Sequence, residues 1–225
     1  MFASLVGRLG EPEHARKVSD SEIASYARAV PEALLHFWSE HGPGSYMKGA
    51  FWICDPRPFV PVVDDIFRGD AEFDPSRMTV VGYTAFGTML IWDRLKKQVS
   101  VNLLMSMVSN VPESKRRNPK TGEPFSEDFT IGSFIAGMAD YDETLFAPAL
   151  QRLGRLEDGE IYGFVPALQL GGAFDVEHLR RMRLAEHASF IAQLQPLKLT
   201  RLTPPEPPRY PYGRIEVIRS VGPTP

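Results

Sequence analysis

The sequence predicts an α+β protein: an antiparallel sheet with packed helices, followed by a smaller, mainly helical C-terminal domain. Three observations carry that expectation. Runs rich in Val, Ile, Leu and Met recur at 78–83, 88–92 and 99–105, joined by short polar connections. Apolar residues at helical spacing occupy 31–41 and return after residue 128. Proline and glycine mark the joins. The expected organisation is a first domain over 1–108, a loop or linker over 109–127, a C-terminal domain over 128–200 and a proline-rich tail over 201–225.

Taken in order, Ser19-Asp20-Ser21-Glu22 offers N-cap residues with an acid in the first turn of a short helix that carries Ile23 and Tyr26. Pro31 suits the start of the next helix, whose apolar face is Leu34, Phe37, Trp38 and His41 at i, i+3, i+4, i+7. Gly42 ends it, and Pro43-Gly44 cannot continue it. Ala50-Phe51-Trp52-Ile53-Cys54 reads as a buried strand closed by Asp55-Pro56. A helix is expected over Pro58–Arg68, then a three-stranded meander turning at Phe86-Gly87 and over residues 93–98. Residues 109–127 are Pro-rich, polar and basic, hence a flexible loop or linker. Helices are expected over 129–139 and 143–153. The glycine-punctuated stretch 159–172 follows, then Asp175 caps a final helical region with Leu184, Ala188 and Ile191 in register. The tail, with its PPEPPRYP run, reads as extended and loosely attached, with Ile215–Ile218 as a candidate edge strand.

Composition narrows the function. The 225 residues carry 25 basic and 28 acidic side chains, a net charge of −3. Mild acidity argues against a nucleic-acid binder and suits a cytoplasmic protein that meets a basic partner. No run approaches the roughly 18 apolar residues of a membrane span, and the first residues lack the leading charge of a signal peptide. Cys54 is the single cysteine and sits in an apolar run, so it reads as a buried structural thiol in a reducing compartment.

Catalytic signatures are missing. There is no G-x-S-x-G, G-x-G-x-x-G or G-x-x-x-x-G-K-[ST]. His36 and His41 are five apart, off the i, i+4 spacing of a zinc helix, and His14, His178 and His187 have no acids at ligand spacing. No metal and no cofactor is therefore expected. The Lys115-Arg116-Arg117…Lys120 run lacks aromatics for base stacking and reads as a solvated loop. Glycines 42/44 and 171/172 read as turns. The segment Asp64, Asp65, Asp70, Glu72 and Asp74, five acids against Arg68, stands out as a docking surface for a basic protein, where complementary charge raises association rates.

The stretch PEALLHFWSEHGPGSYMKGAFWICDP resembles the GAD-like domain of bacterial immunity proteins. The resemblance is carried by Leu34-Leu35, Trp38, Gly42, Gly44-Ser45-Tyr46, Gly49, Phe51-Trp52 and Asp55-Pro56, with Thr84-Ala85-Phe86-Gly87 and Ile91-Trp92 further on. Residues 145–194 are similar to the C-terminal domain that accompanies it. The matching residues there are Leu153-Gly154, Leu156, Glu160, Tyr162 to Leu168, Gly171-Gly172 and Glu186-His187. The resemblance implies an intracellular, non-catalytic protein that binds and blocks a cognate type VI secretion effector, several of which are nucleases. Glu160 and His187 are expected to fix the C-terminal domain.

Together these readings predict an immunity protein whose partner is a toxin, a DNase, with no direct contact to nucleic acid or membrane. The expected partner-binding residues are Asp64, Asp65, Asp70, Glu72 and Asp74, with Glu157 and Asp158 as a second group. A regulatory or scaffold module on the same fold, or an enzyme with a dispersed site, are the alternative classes.

Overall fold

The computed structural model describes residues 2–138, 143–205 and 214–223. Residue 139 of the expected helix and residues 206–213 of the proline-rich run fall outside them. Helices α1 (Phe2–Leu9), α2 (Asp20–Ser25) and α3 (Glu32–Glu40) come first, then strands β1 (Gly44–Tyr46) and β2 (Phe51–Ile53) and helix α4 (Val60–Phe67). The meander is β3 (Met78–Thr84), β4 (Thr88–Asp93), β5 (Lys97–Asn102) and β6 (Met107–Asn110). After it come α5 (Glu127–Met138), α6 (Glu143–Leu153), β7 (Glu160–Phe164), β8 (Leu179–Arg183), α7 (Leu184–Leu194), β9 (Lys198–Thr203) and β10 (Arg214–Ser220).

Local chemistry explains the early elements. Ser19 and Glu22 form a reciprocal capping box at α2. Pro31 stands one residue before α3 and supplies its N-cap. Gly42, at φ +72°, takes the left-handed conformation beyond its end, donating its N–H to the Trp38 carbonyl at 3.0 Å. In α4, Val62, Val63, Ile66 and Phe67 share one buried face.

Eight strands form one sheet in the order β1-β2-β3-β4-β5-β6-β9-β10, antiparallel except where β9 lies parallel to β6. The chain reaches β9 by a crossover containing α5, α6, the β7–β8 hairpin and α7, as a parallel neighbour requires. Because side chains alternate across the pleat, the sheet feeds two cores. On one face Phe51, Ile53, Val81, Leu90 and Trp92 are buried under α1, α3 and α5. On the other, Trp52, Tyr83, Met89, Ile91, Val99, Val101 and Val108 pack on α4, α6, α7 and β7–β8.

Several expectations change at this level. Residues 109–127, expected as a flexible loop or linker, hold local structure: β6 runs to Asn110, Glu113–Arg116 makes a helical turn, and Arg117 bridges to Pro124. The segments on either side of this loop share contacts. The Asp128 carboxylate accepts the Ala33 N–H at 3.1 Å at the start of α3, and Gln98 donates its side-chain amide to the Thr130 carbonyl at 2.9 Å. Asp175 does cap a helical turn, the 3-10 turn Val176–His178, but strand β8 then intervenes before α7, since its Leu-Arg-Arg-Met-Arg pairs with β7. In the tail, residues 214–220 form the outermost strand of the main sheet, clamped from below by Arg219, and 214–223 are not loosely attached.

Candidate functional site: an acidic cleft at the seam

The acids of 64–74 come together on one side of the sheet, but each is engaged. Asp64 pairs with Arg68 at 2.8 Å, one turn apart. Asp65 accepts the Ser189 hydroxyl at 2.6 Å and ties α4 to α7. Asp70, whose side chain is 0% exposed, accepts two bonds from Arg219 (2.6 and 2.9 Å) and the N–H groups of Glu72, Phe73 and Gly222 (2.9–3.0 Å). Burial alone would raise its pKa; the guanidinium and the three amides outweigh that and hold it at about 2. Glu72 pairs with Lys96 at 3.1 Å and Arg219 at 3.2 Å, which pulls its pKa down. Asp74 caps the turn at Ser76 and faces Arg77 at 3.7 Å. Their field is therefore met locally by Arg68, Arg77, Lys96 and Arg219.

The second group sits in a different setting. Glu157 and Asp158 occupy the tight turn into β7, where Gly159 takes φ +77°. Tyr83 rises from the sheet beneath this turn, stacked on Trp52 with ring centroids 5.9 Å apart. Its hydroxyl accepts the Gly159 N–H at 2.7 Å and lies 3.5 Å from Asp158 Oδ1. Burial, reinforced by Asp158, pushes the phenol well above its ordinary range. Arg183 donates to the Asp158 carbonyl at 2.9 Å.

Above Tyr83 opens a cleft of about 250 Å³ lined by Asp55, Pro58, Phe59, Asp158, Gly159 and Arg183, with Ala185 and Glu186 from α7. Asp55 is neutralised by Arg16 and Arg57. Asp158 and Glu186 have no ion pair among the described residues, and Glu157 is only 3.7 Å from Arg181, which is committed to Glu160 at 2.6 Å. The seam thus presents exposed carboxylates, of which Asp158 and Glu186 have no ion pair among the described residues, beside Arg183, which lines the same cleft. Glu160, by contrast, pins the β7–β8 hairpin as expected. His187 lines a small apolar gap with Leu103, Phe164 and Gln169, where burial lowers its pKa.

Sequence reasoning named Glu157 and Asp158 but missed Glu186, Tyr83 and Asp55 as their neighbours. A signal for two of them was present, since Asp55 and Glu186 both belong to the resemblance motifs. Replacing Tyr83 by Phe should leave the Gly159 N–H without its acceptor and lower stability by about 1 kcal/mol. Urea unfolding checks this through a lower midpoint at unchanged slope.

A larger groove of about 670 Å³ crosses the half of the sheet that α5 leaves uncovered. Its polar floor is self-satisfied: the Ser100 and Ser109 hydroxyls share a 2.8 Å bond, and Thr200 donates to the Val108 carbonyl at 3.2 Å. Such a floor offers packing and no reactive group. Cys54 is buried, with a thiol that burial pushes up in pKa, and no metal-binding cluster occurs among the described residues.

With this geometry in place, comparison with known proteins is informative. Residues 1–105 match the GAD-like domain, and residues 125–195 match the T6SS immunity protein Tdi1, C-terminal, domain. The chain carries the domain pair of a type VI secretion immunity protein. The acidic cleft lies where the two regions meet, with Asp55 from the GAD-like domain and Asp158 and Glu186 from the Tdi1 C-terminal domain. The crystal structure of Atu4351 from Agrobacterium tumefaciens is similar, with a TM-score of 0.83 and 27% sequence identity over 99% of this chain and 98% of that one. No curated protein gives a significant match. The Tdi1 match supports an immunity role and binding of a cognate effector, and the family implies a non-catalytic protein. Among the described residues no helix is long and apolar enough to cross a membrane.

Proposed function

We propose that this chain is a cytoplasmic immunity protein that binds its cognate type VI effector, a DNase, and inhibits it by covering the active site. The observation that favours a nuclease is the pair of carboxylates at the seam, Asp158 and Glu186, that have no ion pair among the described residues. A DNase must carry a basic groove to hold phosphate, and carboxylates at the mouth of a cleft compete for that groove as phosphate does. Glu157, Asp158 and Glu186 are the contact residues, and the acids of 64–74, met by cations or, at Asp65, by the Ser189 hydroxyl, contribute little.

Reversing charge with Glu157→Lys, Asp158→Lys and Glu186→Lys together should slow association with the cognate effector by about tenfold or more at low salt. The difference should shrink as ionic strength rises. Surface plasmon resonance over a salt series measures it, with DNA cleavage by the effector as a parallel readout. Unchanged association rates would remove the cleft from the interface, and an effector that cleaves no DNA would remove the nuclease.

A further inference from the structure

The two ends of the main sheet are finished differently. At β1, residues 13–16 close the edge: Glu13 and Ser45 exchange N–H···O bonds of 2.8 and 2.9 Å, and Arg16 donates to the Pro43 carbonyl at 2.9 Å. At the other end β10 has only β9 beside it among the described residues. Its side chains alternate. Ile215 and Val217, 59% and 57% exposed, share the groove face with Leu202, which stands opposite Ile215 and is 63% exposed. Arg214 and Glu216 alternate with them along the strand, and Glu216, which stands opposite Arg201, also lines the edge of the groove. An edge that carries exposed aliphatics and has no further strand beside it among the described residues invites one, and the β-bulge that would deter it begins only after Val217.

We propose that a second copy of this chain covers this edge, the two β10 strands pairing antiparallel about a two-fold axis normal to the sheet, with Ile215 opposite its counterpart. The strand's own charge pattern selects this partner and this register. A two-fold of that kind keeps each face on its own side, so only registers that match like parity along the pleat are allowed. Centring on Ile215 sets Arg214 against Glu216 of the partner subunit twice and joins the aliphatic residues into one strip. Centring on Glu216 would place two carboxylates opposite each other, which is destabilising. Centring on Val217 would set Ile215 against Arg219, whose guanidinium is held under the sheet by Asp70 and Glu72. The strand is its own complement in one register, and the grooves of the two copies then run together across the joint. This assembly does not depend on the identity of the effector.

Sedimentation velocity of the full chain over a concentration series tests it. A monomer–dimer equilibrium is expected, lost in Ile215→Lys and in Glu216→Arg, both exposed positions whose folding circular dichroism verifies. The exchange variant Arg214→Glu/Glu216→Arg should dimerise again, whereas either single reversal should not. Amides of 214–217 should gain protection from hydrogen exchange as concentration rises. A chain that is monomeric at every concentration overturns the proposal. So does a dimer indifferent to these substitutions, or a β10 protected only when effector is added.

Discussion

Asp70→Ala should cost about 3 kcal/mol, the lower end of the range for removing one member of a buried ion pair. The value falls at that end because Arg219 is partly exposed and keeps Glu72. Three backbone N–H groups also lose their acceptor, and with them the loop 70–73 and the turn at Gly222 lose the point that joins them. The substitution carries a pH signature as well. A carboxyl held at about 2 when folded, against an ordinary 3.8, binds its proton more weakly in the native state. Its contribution of roughly 2 kcal/mol is therefore fully present above about pH 4 and disappears as pH falls through about 2. Urea unfolding of both proteins between these limits checks this: the loss of stability should be steeper in the parent. Equal slopes would show that Asp70 is not the group that titrates.

Gly42→Ala should have an effect of similar size, from geometry alone. A left-handed residue with a Cβ costs about 1–2 kcal/mol. The added carbon would also lie 2.0 Å from the Arg16 carbonyl oxygen, a backbone atom that cannot rotate away. Segment 12–16 must then lift from β1, giving up the Arg16–Pro43 hydrogen bond and the Arg16–Asp55 ion pair at 3.0 Å. The expected total is about 3 kcal/mol, with faster amide exchange at Glu13 and Ser45. A loss no larger than the conformational cost would mean that the strap moves aside freely.

Strands β3 to β5 and α3 were legible because their signals are local, although the run read as one strand to Met105 turns at 103–106 and the fourth strand, β6, was not foreseen. Alternating aliphatics with short polar turns specify β3 to β5, and Leu34, Phe37 and Trp38 mark one helical face. The three residues of β1 were hidden in a glycine-rich turn, since only their pairing with β2 makes them a strand. β8 was read as helical because three arginines among two apolar residues obscure its alternation. The parallel join of β9 to β6 has no local signal at all, as the partners are separated by the whole crossover. The same limit governs the candidate site. An acid in sequence reads as solvated, and Asp70 is buried by an arginine 149 residues away. Glu157 and Asp158 were visible as acids, but their nearness to Arg181 and Arg183 follows from the pairing of β8 with β7, which no local signal gives.

The late entry of β9 and β10 has a consequence for how the protein is made. A ribosome releases the first six strands long before residue 219 emerges, so Asp70 waits without its counter-ion and the sheet has no eighth member. Nascent or prematurely terminated polypeptides should consequently be poor competitors for the effector and good substrates for proteolysis. Protection of the cell would be delivered only by copies whose translation had run past the last strand.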